Sequence, residues 1–136
     1  MIVEYSLNLR HVPLSGHELT DFIFKEFIFF LRKETLRIKR KKRLVNPNDP
    51  HGQVLRGLMD PNPEKGTIEI TINPAKKANL NRDKETETLI HELCHIVLSR
   101  TREWRIESLE KILSRTFTSE QKNFLKSFLP CYEVKK

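Results

Sequence analysis

Two histidines four residues apart, His91 and His95, lie in a stretch that the sequence marks as a helix. Between Lys84 and Arg100, apolar residues recur at intervals of three and four, and neither glycine nor proline interrupts them. On a helix with about 3.6 residues per turn, side chains at i and i+4 stand one above the other on the same face. The spacing therefore predicts that both imidazoles point at one place beside this helix.

Two imidazoles placed in this way can share one metal ion, and the residue after the first of them, Glu92, is an acid. Its side chain is rotated by about 100° around the helix, from where it can reach a metal-bound water. Zinc lowers the pKa of such a water, and a nearby carboxylate can accept its proton during attack on a carbonyl. The His-Glu-x-x-His pattern therefore predicts Zn²⁺ on His91 and His95 with Glu92 as general base, as in zinc metallopeptidases. The alternative is that two ordinary surface or core histidines meet in this pattern by chance.

The length and charge of the chain limit its class. With 136 residues we expect one domain over 1–136, with a loose tail at 130–136. Charged residues make up 32%, and no stretch has the form of a secretory leader or of a membrane span, so we expect a cytoplasmic protein with no membrane partner. The two cysteines, Cys94 and Cys131, do not make a disulfide framework, and Cys94 is expected to be a buried packing residue.

The N-terminal part of the chain predicts a strand and then a core helix. Residues Met1–Leu9 alternate between apolar and polar, which is the period of a half-buried strand. Ser15 and Glu18 form a capping box, and the helix that it opens is expected to continue to about Lys33. Its apolar stripe would be costly to leave in water, so this helix should supply much of the core. The stripe consists of Leu19, Phe22, Ile23, Phe27, Phe30 and Leu31, widened by Phe24, Ile28 and Phe29.

The middle and C-terminal parts predict a small sheet and further helices. Strands are expected at Gln53–Met59 and Thr67–Asn73, joined by a turn, while residues 36–45 fit either a helix end or a basic strand. After the histidine helix, a third helix is expected over about 102–115. A last helix should run from the Thr118/Gln121 capping box to about residue 129. The predicted fold class is α+β, with an N-terminal core helix, a small mostly antiparallel sheet, the histidine helix and two C-terminal helices.

A catalytic zinc site needs a third protein ligand, and acidic residues after the histidine helix can supply it. Glu103, Glu107 and Glu110 fall on one face of the third predicted helix. Glu107 is preferred because it is central on this face and leaves room for the chain to reverse between the two helices. Glu103 and Glu110 stay open as alternatives, and each of the three could instead be a solvated ion-pair partner.

The segment Gly66–Ile72, a polar loop and the segment Glu87–His95 together resemble the compact zincin-like metallopeptidases of bacteria and phages, namely the ImmA/IrrE and SprT-like minimal zincins. In that group a strand precedes the histidine helix and an acidic helix follows it. The resemblance covers about residues 53–113. It implies a minimal zincin-like domain with zinc on His91 and His95, Glu92 as general base, and a carboxylate from the segment 104–110 as a gluzincin-like third ligand.

These patterns predict a zinc metallopeptidase that hydrolyses peptide bonds in a peptide or protein substrate. Zinc would polarise the scissile carbonyl, while Glu92 takes a proton from the attacking water and passes it to the leaving amine. The substrate is expected to add as an extended strand to an exposed edge of Thr67–Asn73. No residue is assigned as an additional oxyanion donor, and Tyr132, His51 and Arg82 are the candidates.

A basic run supports a different class of function, a non-catalytic binding module on a zincin scaffold. The chain carries 25 Lys and Arg against 18 Asp and Glu, a net charge of +7, and much of the excess lies in one run. Such a run can contact nucleic acid or an acidic partner. Without interleaved aromatic residues or a nucleic-acid-binding fold signature, a solvated surface is the simpler interpretation. Both functions can also combine in a protease recruited to nucleic acid. The run consists of Arg37, Lys39, Arg40, Lys41, Lys42 and Arg43.

Overall fold

The computed structural model describes residues 12–42, 44–45, 54–62 and 66–130. These residues form four helices and three strands, and the α+β class expected from the sequence is confirmed at this level. The strand predicted at Met1–Leu9 and the tail after Pro130 lie outside the described residues. In chain order the elements are α1 (Glu18–Leu31), β1 (Leu36–Arg40), β2 (Gly57–Asn62), β3 (Thr67–Ile72), α2 (Arg82–Val97), α3 (Glu103–Thr116) and α4 (Ser119–Lys126).

Helix α1 has a different cap from the one that the sequence predicted. The capping box of Ser15 and Glu18 is wrong, because His17 is the N-cap and its Nδ1 accepts a hydrogen bond from the backbone N–H of Thr20 at 3.2 Å. The hydroxyl of Ser15 instead donates to the carboxylate of Asp21 at 2.7 Å. A helix start needs acceptors for its unpaired N–H groups, and the ring nitrogen of His17 meets that need here.

The phenylalanine-rich helix supplies the core with one face and leaves the other outside. Phe24 and Phe27 are completely buried, and both rings meet Phe117 edge-on, with centroids 5.5 and 6.1 Å apart. Leu19 and Phe22 are exposed by 63% and 61%, so the broad apolar stripe expected from the sequence is correct for only part of the helix. The other helices and β3 complete this core with Ile70, Ile72, Leu89, Ile90, Leu93, Ile106, Leu113 and Leu125.

The three strands form a mixed sheet in the order β1-β3-β2. The central strand β3 is parallel to β1 and antiparallel to β2, so the expectation of a mostly antiparallel sheet needs correction. The difference arises because the basic segment, which the sequence left ambiguous, forms β1 at one edge. The strand predicted from Gln53 begins at Gly57 among the described residues.

The last helix begins as the sequence predicts. Thr118 and Gln121 form a reciprocal capping box, with bonds of 3.0 and 3.1 Å. The side chain of Gln121 is fully buried and also donates to Asp21 at 2.9 Å, which ties the start of α4 to the start of α1. None of the helices in the described part of the chain has the length and apolar character that a bilayer crossing requires.

Candidate metal centre

Helix α2 lies at the centre of the fold and carries the histidine pair. It begins at an Asn81 cap, whose side chain accepts the backbone N–H of Lys84 at 3.0 Å. The helix contacts α1, α3, α4, β2 and β3, so its core-facing residues are buried by all of these elements. The opposite side borders an open cavity of about 510 Å³ that His91, Glu92 and His95 line together with residues of β2 and α3.

Three potential ligands converge at this cavity. The Nε2 atoms of His91 and His95 lie 3.2 Å apart. The carboxylate of Glu103 reaches both rings, with one oxygen 2.6 Å from His91 Nε2 and the other 2.8 Å from His95 Nε2. In a tetrahedral zinc site, bonds of 2.0–2.1 Å place neighbouring ligand atoms about 3.3 Å apart. The donor types and their convergence therefore fit a metal ion bound to two imidazoles and one carboxylate.

The third member of this group is Glu103, not Glu107. Helix α2 ends at Val97, and a short turn leads directly into α3, so the first residue of α3 faces the histidines. Within this turn Arg100 has a left-handed backbone conformation, with φ of 73°. Glu107 lies one helical turn further on and lines the same cavity without joining the group. The preference for Glu107 assumed a wider reversal between the two helices than the chain makes.

Glu110 approaches the site from the other side of the first histidine. Its Oε1 lies 2.8 Å from His91 Nδ1, and because a carboxylate can only accept, Nδ1 donates and leaves Nε2 for a metal. Burial lowers the pKa of His91, but the hydrogen bond to Glu110 and the nearby carboxylates outweigh it, and the pKa is raised. Burial likewise raises the pKa of Glu110, but His91 and Arg56 outweigh it, and that pKa is lowered.

Arg56 completes this chain of polar contacts. Its Nη2 lies 3.5 Å from the same Glu110 oxygen. The sequence does not point to Arg56, since nothing in the local pattern before β2 connects it with a helix more than fifty residues away. The sequence offered Glu110 as a direct ligand or as a solvated ion-pair partner, and did not indicate its contact with the ring of His91.

Glu92 is buried in the wall of the cavity, next to the start of β2. Its Oε2 would lie 3.4 Å from a Cβ atom at Gly57. Burial raises the pKa of Glu92 to about 7, with the charge of His91 acting in the opposite direction.

Cys94 is the fully buried packing residue that the sequence predicted. Burial raises the pKa of its thiol to about 12, so it stays neutral and points into the core. Arg82, one of the candidate oxyanion donors, has a structural role instead: it donates to the carbonyls of Leu129 and Pro130 at 3.2 and 3.1 Å. The other two candidates, His51 and Tyr132, and also Cys131, lie outside the described residues.

The basic run lies mostly along β1 at the sheet edge. Lys39 forms an ion pair with Glu69 on the neighbouring strand, at 2.8 Å. Arg40 forms another with the buried Glu85 of α2, at 3.1 Å. These two cations are therefore at least partly neutralised by the fold, while Arg43 lies outside the described residues.

Comparison with known proteins does not identify a family for this chain. No protein-family model matches it, and neither the curated proteins nor the solved structures searched contain a significant match. The resemblance to minimal zincins therefore remains a prediction that rests on the motif.

Proposed function

We propose that this protein is a zinc metallopeptidase whose metal is held by His91, His95 and Glu103. The observation that supports this proposal is the convergence of the three donors in an open cavity, with the carboxyl group of Glu92 beside them. When bound, zinc supplies the Lewis acidity that activates water and polarises a peptide carbonyl. Glu92 accepts a proton from the attacking water and passes it to the leaving amine.

Glu110 and strand β2 have supporting roles in this proposal. Glu110 holds the ring of His91 in the orientation that leaves Nε2 available for the metal. The neighbouring strand β2 offers a substrate an extended edge, since Gly57 and Leu58 line the cavity. A peptide that pairs with this edge would have its backbone close to Glu92.

The earlier expectation that the substrate adds to Thr67–Asn73 is wrong. Strand β3 is central in the sheet and is paired on both sides, so it has no open edge to offer. Among the described strands, β2 lies at the edge that borders the cavity, and we propose that the extended substrate binds there. Binding of nucleic acid by the basic run stays a prediction. The ion pairs of Lys39 and Arg40 indicate that part of the positive charge of this run stabilises the fold.

The test joins metal analysis with hydrolysis of a peptide library, using protein purified without a histidine tag. We expect one zinc per chain in the wild type and loss of zinc in His91→Ala and His95→Ala. Glu92→Gln should retain zinc and lose hydrolysis by about 10²- to 10⁴-fold, because the amide cannot accept the proton. Unchanged metal content in both histidine variants would rule out the site. A metal-loaded wild type that cleaves no member of the library would favour the binding-module alternative.

A further inference from the structure

We propose that Arg56 is the anion-binding residue of this site: its guanidinium binds a negatively charged oxygen of a ligand seated beside His91, His95 and Glu103. In peptide hydrolysis that oxygen is the oxyanion that develops from the scissile carbonyl. The inference deepens the proposed function and rests on it. It assigns an oxyanion donor from a part of the chain in which the sequence indicated none.

The charge of the cavity creates the need for such a residue. Three carboxyl groups, those of Glu92, Glu103 and Glu107, line the cavity and would repel an anionic ligand. Among the described residues that line it, Arg56 is the one arginine or lysine. A guanidinium binds oxyanions through parallel N–H groups and keeps its charge at any pH in the working range.

The side chain of Arg56 has donors to spare. A guanidinium carries five N–H donors, and the bond that Arg56 makes within the described residues is the long one to Glu110, at 3.5 Å. The side chain is 47% exposed, so it can add a contact to a ligand without losing one that is deeply buried. A residue whose sole task was to neutralise Glu110 would be expected to form a shorter or paired contact.

The backbone of Arg56 is held in place by buried amides. Its carbonyl accepts from the backbone N–H of Asn73 at 2.9 Å and from the side chain of Asn79 at 3.0 Å. The side chain of Asn73 also donates to the carbonyl of Leu55 at 3.0 Å. Both asparagines are almost completely buried, where unmet hydrogen bonds would be costly. The backbone of Leu55 and Arg56 is therefore held in a fixed position at the cavity.

The same network connects Arg56 to the helix that carries the site. Thr88 of α2 donates its hydroxyl to Asn79 at 2.6 Å, and Thr88 lies one helical turn before Glu92. The origin of the arginine side chain is thereby fixed relative to the general base and the histidines. Fixed donors stabilise a developing charge better than mobile ones, because they need no reorganisation during the reaction.

The test uses cobalt as a visible probe of the site and inorganic phosphate as the anion. The wild type, Arg56→Met and Arg56→Lys are loaded with Co²⁺, and phosphate or azide is titrated at constant ionic strength while the cobalt absorption is followed. Azide needs only an open metal position, whereas phosphate offers further oxygens to a guanidinium. Arg105→Met is the matched control, since it removes the same charge from the same domain at a side chain outside this cavity.

We expect Arg56→Met to weaken phosphate binding by about 10- to 100-fold, the effect of losing charge-assisted hydrogen bonds, with azide binding unchanged. Arg56→Lys should have an intermediate affinity for phosphate, because it keeps the positive charge and loses the parallel N–H donors of the guanidinium. Equal phosphate binding by wild type and Arg56→Met would overturn the inference and leave the metal site standing. An equal loss in Arg105→Met would also overturn it, by reducing the effect to net charge. If Arg56→Met fails to hold cobalt, the comparison of Arg56→Lys with the wild type decides. A wild type that binds no cobalt would overturn this inference together with the proposed function.

Discussion

His91 Nδ1 and Glu110 Oε1 lie 2.8 Å apart, on the side of the imidazole that faces away from the proposed metal position. A carboxylate in this place fixes the ring orientation and raises the basicity of the other nitrogen, and partners of this kind typically contribute about 10- to 100-fold in metal affinity. We therefore expect Glu110→Gln to bind zinc about 10- to 100-fold more weakly than the wild type, measured by competition with a chromophoric chelator. Wild-type affinity in the variant would show that the contact does not tune the metal.

The choice between two neighbouring glutamates can be tested directly. Glu103→Gln should lose most of its zinc at micromolar protein concentration, because it removes one of the three proposed ligands. Glu107→Gln is the matched control, with the same chemical change one helical turn away, and it should keep zinc at the wild-type level. Metal content of the two purified variants is the measurement. The reverse result would restore the sequence-based preference for Glu107.

The buried carboxyl group of Glu92 should make the metal-free protein less stable at high pH. The pKa of Glu92 is about 7 in the fold against 4.5 as its ordinary value, so the folded state favours the protonated form. Below pH 4.5 the group is neutral in both states and costs nothing. As the pH rises from 4.5 to about 7, the free energy of unfolding should fall by an amount on the order of 3 kcal/mol and then level off.

Glu92→Gln removes this penalty, because the amide never ionises. In urea denaturation with a chelator present, the variant should be more stable than the wild type at pH 8, and the two should approach each other at pH 5. Parallel pH profiles for the two proteins would contradict this expectation.

The contact between β2 and α2 leaves no room for a side chain at Gly57. A Cβ atom there would lie 2.5 Å from Thr88 Cγ2, which is shorter than any van der Waals contact. We expect Gly57→Ala to lower the free energy of unfolding by about 1–3 kcal/mol, as overpacking typically does. Adding Thr88→Ser removes the methyl group and keeps the hydroxyl that bonds Asn79. In urea denaturation, the double variant should therefore regain most of the free energy of unfolding that Gly57→Ala loses. Additive destabilisation would mean that the clash of the new Cβ is with the backbone and not with the methyl group of Thr88.

Local patterns predicted the parts of this protein that depend on local geometry. The placement of His91 and His95 on one helix face follows from a spacing of four residues, and the Thr118/Gln121 cap follows from a spacing of three. The selection of Glu103 depends on how tightly the chain turns after α2, which no spacing within the helices reveals. Arg56 reaches Glu110 across 54 positions of sequence, so only the folded sheet brings them together.

The sheet shows the same limit. The alternation in β3 predicted a strand correctly, but its central position depends on pairing with β1 far along the chain. A strand that is paired on both sides and one that is open on one side can have the same alternating pattern. For this reason the alternating pattern of Thr67–Asn73 does not reveal that this strand is paired on both sides.

The three proposed ligands all belong to the α2–α3 hairpin, within the residues from His91 to Glu103. The edge strand and Arg56 join them through contacts between parts of the chain that are far apart in sequence: β2 packs on α2, and Arg56 reaches Glu110 across 54 positions. Contacts close in sequence form faster than distant ones, because less chain entropy is lost in closing the loop. We therefore expect the hairpin to assemble first during folding and to capture zinc before the sheet docks. A chain that refolds from denaturant would then hold its metal while it still lacks the edge along which we propose that a substrate lies.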